Sequence, residues 1–184
     1  MARLIGISGS TRKASFNSAL LRAAAALVPT GSTLEIASIA GIPLYDGDVE
    51  SAPGVPQIVT ELKDRIAASD GLVLVTPEYN NSLPGVFKNA IDWLSRPGSD
   101  VPRVFGGKPV ALFGATPGIG GTRLAQAAWG PVLRALGTQP WNGASLYVGG
   151  AEKVFDASGT LVDEKVKQLL TKLMAGFVSF IDEK

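Results

Sequence analysis

Short apolar runs alternate along the chain with longer stretches in which apolar residues recur every three or four positions. The short runs predict strands, and the longer stretches predict amphipathic helices. Two of the runs, Leu72–Val75 and Val110–Phe113, are apolar at every position, which is typical of strands covered on both faces. The predicted strands are Leu4–Ser8, Thr33–Ile39, Gly71–Thr76, Pro109–Ala115 and Ala144–Val148. The predicted helices are Asn17–Leu27, Val55–Ala68, Gly85–Ser95, Arg123–Leu136 and Asp163–Ile181.

This alternation of strands and helices favours an α/β fold built on a parallel sheet. We predict a flavodoxin-like, doubly wound, five-stranded parallel sheet in the order 2-1-3-4-5, within a three-layer α/β/α architecture. Because no repeat, low-complexity segment or linker interrupts the pattern, residues 1–184 are expected to form a single domain. Segments Ala40–Pro56 and Pro97–Lys108 are long enough either to border a binding pocket, which we expect, or to serve as plain connections.

Composition narrows the classes of partner and of chemistry. The net charge of the 184 residues is +1 with intermixed signs, which favours a small-molecule partner over nucleic acid or a membrane surface. The chain contains no cysteine and no histidine, so it lacks the thiolate nucleophile, the usual imidazole base and the commonest zinc ligand. We therefore predict no metal site, and any redox chemistry would require a bound organic cofactor.

The N-terminal residues lead directly into the first predicted strand, which leaves no room for a signal-type apolar segment. No apolar run approaches the length of about 20 residues that a membrane helix needs. We therefore expect a cytoplasmic protein.

A polar loop, Gly9–Asn17, follows the first predicted strand and leads into a helix. The start of a helix presents unpaired N–H groups and a partial positive charge, and the hydroxyl and guanidinium groups of Ser10, Ser15 and Arg12 add further donors. This combination predicts a phosphate site. The loop matches neither the Walker pattern nor the Rossmann dinucleotide pattern. The alternative interpretation is a surface turn that ends in a capping serine.

Ligands of doubly wound sheets bind at the carboxyl ends of the strands, where the strand order reverses. Two further polar loops, Pro77–Pro84 and Thr116–Thr122, are predicted to reach that edge beside the first loop. The two prolines and Tyr79 favour a wall for a flat heterocycle. The alternative interpretation is that Pro77 ends a strand and Pro84 starts a helix. In the third loop, Arg123 stands where a Rossmann motif needs its third glycine, so we discount a dinucleotide fingerprint.

Taken together, these motifs resemble those of the NAD(P)H-dependent FMN reductase family, which includes quinone, chromate and azo-dye reductases. The resemblance covers roughly residues 3 to 150 and rests on motifs after the first and third strands. These are Gly9-Ser10-x-Arg12-x-x-Ser15-x-Asn17, then Pro77-Glu78-Tyr79-Asn80 followed by Ser82-x-Pro84-Gly85, and Lys88-Asn89-x-x-Asp92-Trp93.

The resemblance implies a set of cofactor contacts. The residues implied to bind the phosphate or ribityl groups of FMN are Ser10, Arg12, Ser15, Phe16 and Asn17. Those implied to contact the flavin ring, largely through backbone atoms, are Pro77, Glu78, Tyr79 and Asn80, with Ser82 as a weaker candidate. Pro117 and Gly118 are expected near the pyrimidine edge of the ring. No side chain is assigned as a catalytic acid or base. The helix after the second loop is implied to lie at an interface, which favours a homodimer or homotetramer.

The implied function is an FMN-dependent oxidoreductase that passes hydride from NAD(P)H to a quinone or similar small acceptor by a two-step exchange. NADPH is slightly favoured because four arginines are plausible partners of its 2′-phosphate, namely Arg12, Arg96, Arg103 and Arg123. One alternative is a flavodoxin-like electron carrier or flavin-binding module without reductase activity. Another is a nucleotide-binding regulatory domain. Arg12 in the phosphate loop and the nearly neutral charge favour the reductase.

Overall fold

In the computed structural model, which describes residues 1–183, a parallel sheet of six strands lies between two layers of helices. The strands are β1 (Arg3–Ser8), β2 (Thr33–Ala37), β3 (Gly71–Val75), β4 (Pro109–Ala115), β5 (Gln139–Pro140) and β6 (Tyr147–Val148). The helices are α1 (Phe16–Leu27), α2 (Gly47–Ser51), α3 (Gln57–Ala67), α4 (Gly85–Leu94), α5 (Val101–Val104), α6 (Arg123–Ala135), α7 (Ala151–Val154) and α8 (Glu164–Asp182), with a 3₁₀ turn at Gly98–Asp100. Within residues 1–183, no helix is both long and apolar enough to cross a membrane.

The strand order is β2-β1-β3-β4-β5, as predicted. The central strands carry side chains into both helical layers because successive residues of a strand face opposite sides. Along β3, Val73 and Val75 pack with α1 and α8, whereas Leu72 and Leu74 pack with α3, α4 and α6. All residues of β3 are buried, which explains why the strand is apolar at consecutive positions.

At the edge of the sheet beyond β4, the structure contains two short strands, whereas the sequence predicted one strand at Ala144–Val148. Two separate two-residue strands, β5 and β6, pair with the two ends of β4. Between them the chain leaves the sheet, and the Trp141 ring packs against Phe177 of α8, with ring centroids 5.8 Å apart. Gly143 makes this path possible, because a Cβ there would stand 2.6 Å from the Trp141 indole. A tertiary contact therefore divides the edge strand.

The segments predicted as long loops contain short helices, and neither segment lines the cavity at the carboxyl ends of β1, β3 and β4. Helix α2 lies in the first segment, and the 3₁₀ turn and α5 lie in the second. The carbonyl of Pro43 accepts hydrogen bonds from the side chains of Asn89 (2.8 Å) and Trp93 (3.0 Å). The Lys88-to-Trp93 motif thus fastens the 40–46 segment to α4, and both Phe87 and Trp93 are fully buried within the chain.

Candidate functional site

Three loops meet at the carboxyl ends of β1, β3 and β4, as the strand order predicts. They enclose a small open cavity of about 140 Å³. Its lining consists of Ser10, Arg12, Ser15, Phe16, Asn17, Pro77, Glu78, Tyr79, Ala115, Thr116 and Pro117. We call this the loop cavity. All the site residues predicted from sequence line it except Asn80, Ser82 and Gly118, which lie one to three positions along the chain from a lining residue.

The first loop combines a capped helix with unpaired backbone donors. Ser15 is the N-cap of α1, and its hydroxyl accepts a hydrogen bond from the N–H of Ser18 at 3.2 Å. The backbone N–H groups of Lys13 to Asn17 have no acceptor among residues 1–183. Because the start of a helix carries a partial positive charge, these N–H groups together favour an anion such as phosphate.

Gly9 serves the fold at this position. A Cβ on Gly9 would stand 2.2 Å from the ring of Phe87, a fully buried residue of α4. The N–H of Gly9 donates to the carbonyl of Val75 at 2.8 Å, which extends the pairing of β1 with β3. The glycine therefore lets α4 approach the end of the sheet closely.

Asn17 joins the first loop to β4. Its side-chain amide donates to the carbonyl of Ala115 and accepts from the N–H of the same residue, both at 2.8 Å. Asn17 is buried, so this pair satisfies a backbone donor and acceptor that water cannot reach. The side chain predicted to touch the phosphate or ribityl groups is thus already engaged with backbone atoms that hold two sides of the loop cavity together.

The second loop contains a tight hairpin turn. Tyr79 and Ser82 exchange two backbone hydrogen bonds of 3.0 Å each, around Asn80 and Asn81. The φ angles of these two residues are 49° and 60°, in the left-handed region that asparagine tolerates better than most residues. This turn holds Tyr79 at the rim with 49% of its surface exposed. The paired asparagines were a turn signal that our sequence analysis did not use.

Glu78 links the second loop to the third. One oxygen of its carboxylate, Oε2, accepts hydrogen bonds from the N–H groups of Leu124 (2.8 Å) and Ala125 (3.0 Å). These residues form the first turn of α6, where a negative charge is favourable. Two positions before Glu78, Thr76 is fully buried and accepts a hydrogen bond from the Trp129 indole at 3.1 Å. Both ends of the Thr76–Glu78 segment are therefore fixed to α6.

The third loop packs its backbone against the 147–150 segment. Gly121 has a φ of 65°, and a Cβ there would stand 2.8 Å from Tyr147. The carbonyl of Gly118 accepts a hydrogen bond from the N–H of Gly150 at 3.2 Å, and Gly118 does not line the loop cavity. Of the described residues of this loop, Thr116 and Pro117 line the loop cavity.

Two lining residues, Ala115 and Thr116, were missed by the sequence analysis. Ala115 ends β4, and Thr116 follows it directly. The rule that ligands bind beyond the carboxyl ends of the strands would have indicated both positions. Their side chains are small and carry no distinctive chemistry, so no motif marked them.

The donor set suits a phosphate ester joined to a larger group. The lining combines donors, namely unpaired N–H groups, the hydroxyls of Ser10 and Ser15 and the Arg12 guanidinium, with the less polar residues Pro77, Tyr79 and Pro117. A cavity of about 140 Å³ holds only part of a cofactor, because sites for drug-sized ligands have volumes of about 300–1,000 Å³. A flat ring would therefore lie across the open rim.

Comparison with known proteins gives the family context of this site. The model of a family described as NADPH-dependent FMN reductase matches residues 2–153, which include all three loops. A protein of Pseudomonas aeruginosa called NAD(P)H-dependent FMN reductase is 45% identical over 168 residues, covering 91% of this chain and 89% of the relative.

Two further relatives match almost the full chain. A quinone reductase of Escherichia coli K12 is 37% identical over 182 residues, covering 97% of this chain and 95% of the relative. The structure of a flavoenzyme NAD(P)H:(acceptor) oxidoreductase from Paracoccus denitrificans is 34% identical and superposes with a TM-score of 0.87. That match covers 100% of this chain and 98% of the other.

Proposed function

The chain belongs to the NADPH-dependent FMN reductase family, and from this premise we propose that it is an FMN-dependent NAD(P)H oxidoreductase whose loop cavity holds the phosphate end of FMN. Its electron acceptor is a small molecule, and the quinone reductases among its relatives favour a quinone. The observation that carries the proposal is the run of unpaired N–H groups from Lys13 to Asn17 at the start of α1.

The residues divide into those that would contact FMN and those that position them. Ser10, Arg12 and Ser15 would bind the phosphate through hydroxyl, guanidinium and backbone N–H donors. Pro77, Tyr79 and Pro117, with the predicted neighbour Gly118, would border the flavin ring. The positioning residues are Asn17, which holds Ala115, and Glu78, which holds the first turn of α6. Asn80 and Ser82 would act through the hairpin turn that holds Tyr79.

When bound, FMN supplies the redox chemistry by accepting hydride from NAD(P)H and passing the electrons to the acceptor. The protein provides orientation and electrostatic tuning. The Glu78 carboxylate, one of the few ionisable groups lining the loop cavity, is held by two backbone N–H groups. We therefore assign no side chain as an obligatory acid or base. The exposed rim at Tyr79 leaves the ring open to NAD(P)H and then to the acceptor, as a two-step exchange requires.

We also propose that the chain works as a homodimer or homotetramer. Large apolar side chains are exposed on the third loop and on the 40–46 segment. Ile119 is fully exposed and Leu44 is 82% exposed. Burying such side chains against a second copy would remove apolar surface from water. Light scattering coupled to size exclusion measures the mass, and a monomer at micromolar concentration would contradict the proposal.

The function is tested by loading the purified protein with FMN, removing free flavin, and adding NADPH or NADH without oxygen. We expect FMN to be retained and its visible absorbance to bleach promptly. Adding a quinone should restore the absorbance. Initial-rate plots for NAD(P)H at several quinone concentrations should be parallel, because both substrates use one site in turn.

Other outcomes separate the parts of the proposal. Retained FMN that neither nucleotide reduces would favour an electron carrier. Failure to retain FMN would remove the assignment of the loop cavity. Intersecting initial-rate lines would show that both substrates bind together and would contradict the shared site.

A further inference from the structure

The structure separates the four arginines suggested as partners of a 2′-phosphate. Arg96 forms an ion pair with Glu50 at 2.8 Å, and Arg103 pairs with both Asp100 and Asp64. These carboxylates already neutralise the two guanidinium groups. The third, Arg123, lies over the ring of Tyr147 at 5.2 Å from its centroid.

The fourth, Arg12, borders a second cavity beside the loop cavity. This cavity, about 470 Å³ in volume, lies between the first loop and the turn after α7. We call it the basic cavity and define it by Arg12, Lys13, Arg22, Asp156, Ser158 and Gly159. Its volume falls in the range of about 300–1,000 Å³ that is usual for small-ligand sites. Arg12, Ser15 and Phe16 line both cavities, so the two are adjacent.

The cations of the basic cavity have no side-chain partners within residues 1–183. Among residues 1–183, the side chains of Arg12, Lys13 and Arg22 make no ion pair or hydrogen bond. By contrast, Arg3, Arg65, Arg96 and Arg103 each contact a carboxylate. Three unpaired positive groups around one concave surface produce a field that attracts an anion.

The turn after α7 contributes one anion and orders the opposite wall. The Ser158 hydroxyl (2.6 Å) and the Thr160 N–H (2.9 Å) donate to Asp156, which holds the pKa of its carboxyl below the usual value. Asp156 therefore stays charged at neutral pH and offsets part of the positive field. Against the same turn, Nη2 of Arg22 lies 3.0 Å from where a Cβ on Gly159 would stand. With Arg12 engaged by the proposed FMN phosphate, two cations, Lys13 and Arg22, still face one carboxylate.

We propose that the basic cavity binds the 2′-phosphate of NADPH, with Lys13 and Arg22 as the residues that distinguish NADPH from NADH. This inference rests on the proposed function, because it concerns the nucleotide that reduces the bound flavin. A phosphomonoester is doubly charged near neutral pH and accepts several charge-assisted hydrogen bonds, so it suits a lysine and a guanidinium group. Because Arg22 does not line the loop cavity, Arg22→Gln leaves the proposed FMN contacts in place, and Lys13→Gln keeps the backbone N–H of Lys13.

The direct test compares two nucleotides that differ only in the 2′-phosphate. The FMN-loaded protein is titrated calorimetrically with adenosine 2′,5′-bisphosphate and with adenosine 5′-monophosphate. We expect the bisphosphate to bind at least about tenfold more tightly, because one charge-assisted hydrogen bond to the 2′-phosphate raises the affinity by about that factor. Lys13→Gln and Arg22→Gln should each reduce this ratio several-fold, and the double variant should bring it close to one. Raising the salt concentration should reduce the ratio as well.

Kinetics provide a second measurement. In Arg22→Gln, kcat/KM for NADPH should fall several-fold through a higher KM, while kcat and the constants for NADH stay the same. The matched control is Lys172→Gln on α8, which removes an exposed and unpaired lysine outside both cavities. That variant should keep the wild-type nucleotide ratio. Unchanged FMN retention and melting temperature would show that the variants are intact.

Equal affinity of the wild-type protein for the two nucleotides would overturn the inference. So would a double variant that keeps the wild-type ratio, or a wild-type kcat/KM that is higher for NADH. The proposed function fails in a different way, namely when neither NADPH nor NADH reduces the FMN-loaded protein. Because calorimetry measures nucleotide binding directly, its result applies to the basic cavity in either case.

Discussion

The loops after β1 and β3 lie on adjacent strands, yet they use their polar groups in opposite ways. The first loop leaves the N–H groups of Lys13 to Asn17 without acceptors, and Arg12 without an ion pair. In the second loop, the backbone groups of Tyr79 and Ser82 hydrogen-bond to each other, and the Glu78 carboxylate accepts hydrogen bonds from two N–H groups of α6. Unpaired donors cost free energy unless water or a ligand satisfies them.

This difference indicates two kinds of contribution to one site. The first loop is arranged to bind a charged group, because its donors converge where the chain offers no acceptor. The second loop is arranged to keep its shape, because its hydrogen bonds are made within the protein. We therefore expect substitutions in the first loop to change FMN affinity mainly, and substitutions in the second to act through loop geometry and stability.

The largest effect should come from breaking the link between the first loop and β4. Asn17→Ala removes both hydrogen bonds to the buried backbone of Ala115 and leaves a donor and an acceptor unsatisfied. We expect the free energy of unfolding without FMN to fall by about 3 kcal/mol, measured by urea denaturation. Asn142→Ala is the control, since Asn142 is exposed and its side chain makes no hydrogen bond in the described chain. A loss below about 1 kcal/mol would show that the Asn17 link is unimportant.

Ser15 allows cofactor binding to be separated from helix capping. Ser15→Asp keeps an acceptor for the N–H of Ser18 but places a negative charge beside the proposed phosphate. We expect FMN affinity to fall about a hundredfold, with stability changed by less than about 1 kcal/mol. Quenching of FMN fluorescence measures the affinity. Ser15→Ala should lose about 1 kcal/mol of stability with a smaller loss of affinity. Tight FMN binding by Ser15→Asp would place the phosphate elsewhere.

Glu78 tests the geometry of the second loop. Glu78→Ala removes the acceptor for two N–H groups of α6, so we expect a stability loss of about 1 kcal/mol. FMN affinity should fall only several-fold, and Glu78→Gln should recover part of both losses. The control is Glu152→Ala. Glu152 is an acidic residue in the first turn of α7, and its carboxylate does not accept such hydrogen bonds within residues 1–183. An affinity loss as large as that of Ser15→Asp would contradict the division between the two loops.

The smallest effect is expected at the hairpin turn. Asn80→Gly and Asn81→Gly preserve the left-handed backbone that the φ angles of 49° and 60° require. Both variants should keep FMN affinity within about twofold and stability within about 0.5 kcal/mol. The same fluorescence and urea measurements apply. A large affinity loss in Asn80→Gly alone would show that the Asn80 side chain itself contacts FMN.

Much of the sheet followed from the apolar pattern, because strands covered on both faces need apolar side chains at consecutive positions. The order of β1 to β4 and the family were predicted correctly, and most helix boundaries agree within one or two residues. The edge strand was predicted as one piece. Its division depends on Trp141 and Gly143 packing toward α8, which no local pattern reveals.

The sequence by itself determined the strand order, the positions of three polar loops at one edge of the sheet, and the residue types that suit a phosphate. Local spacing and propensity carry that information. Only the tertiary structure decided which side chains are free to bind. Asn17, Glu78, Arg96 and Arg103 looked equally available in the sequence, yet each is engaged by a residue between 3 and 98 positions away. Whether a polar group faces a ligand or a protein partner depends on such contacts, most of them between residues far apart in the chain, which folding alone creates.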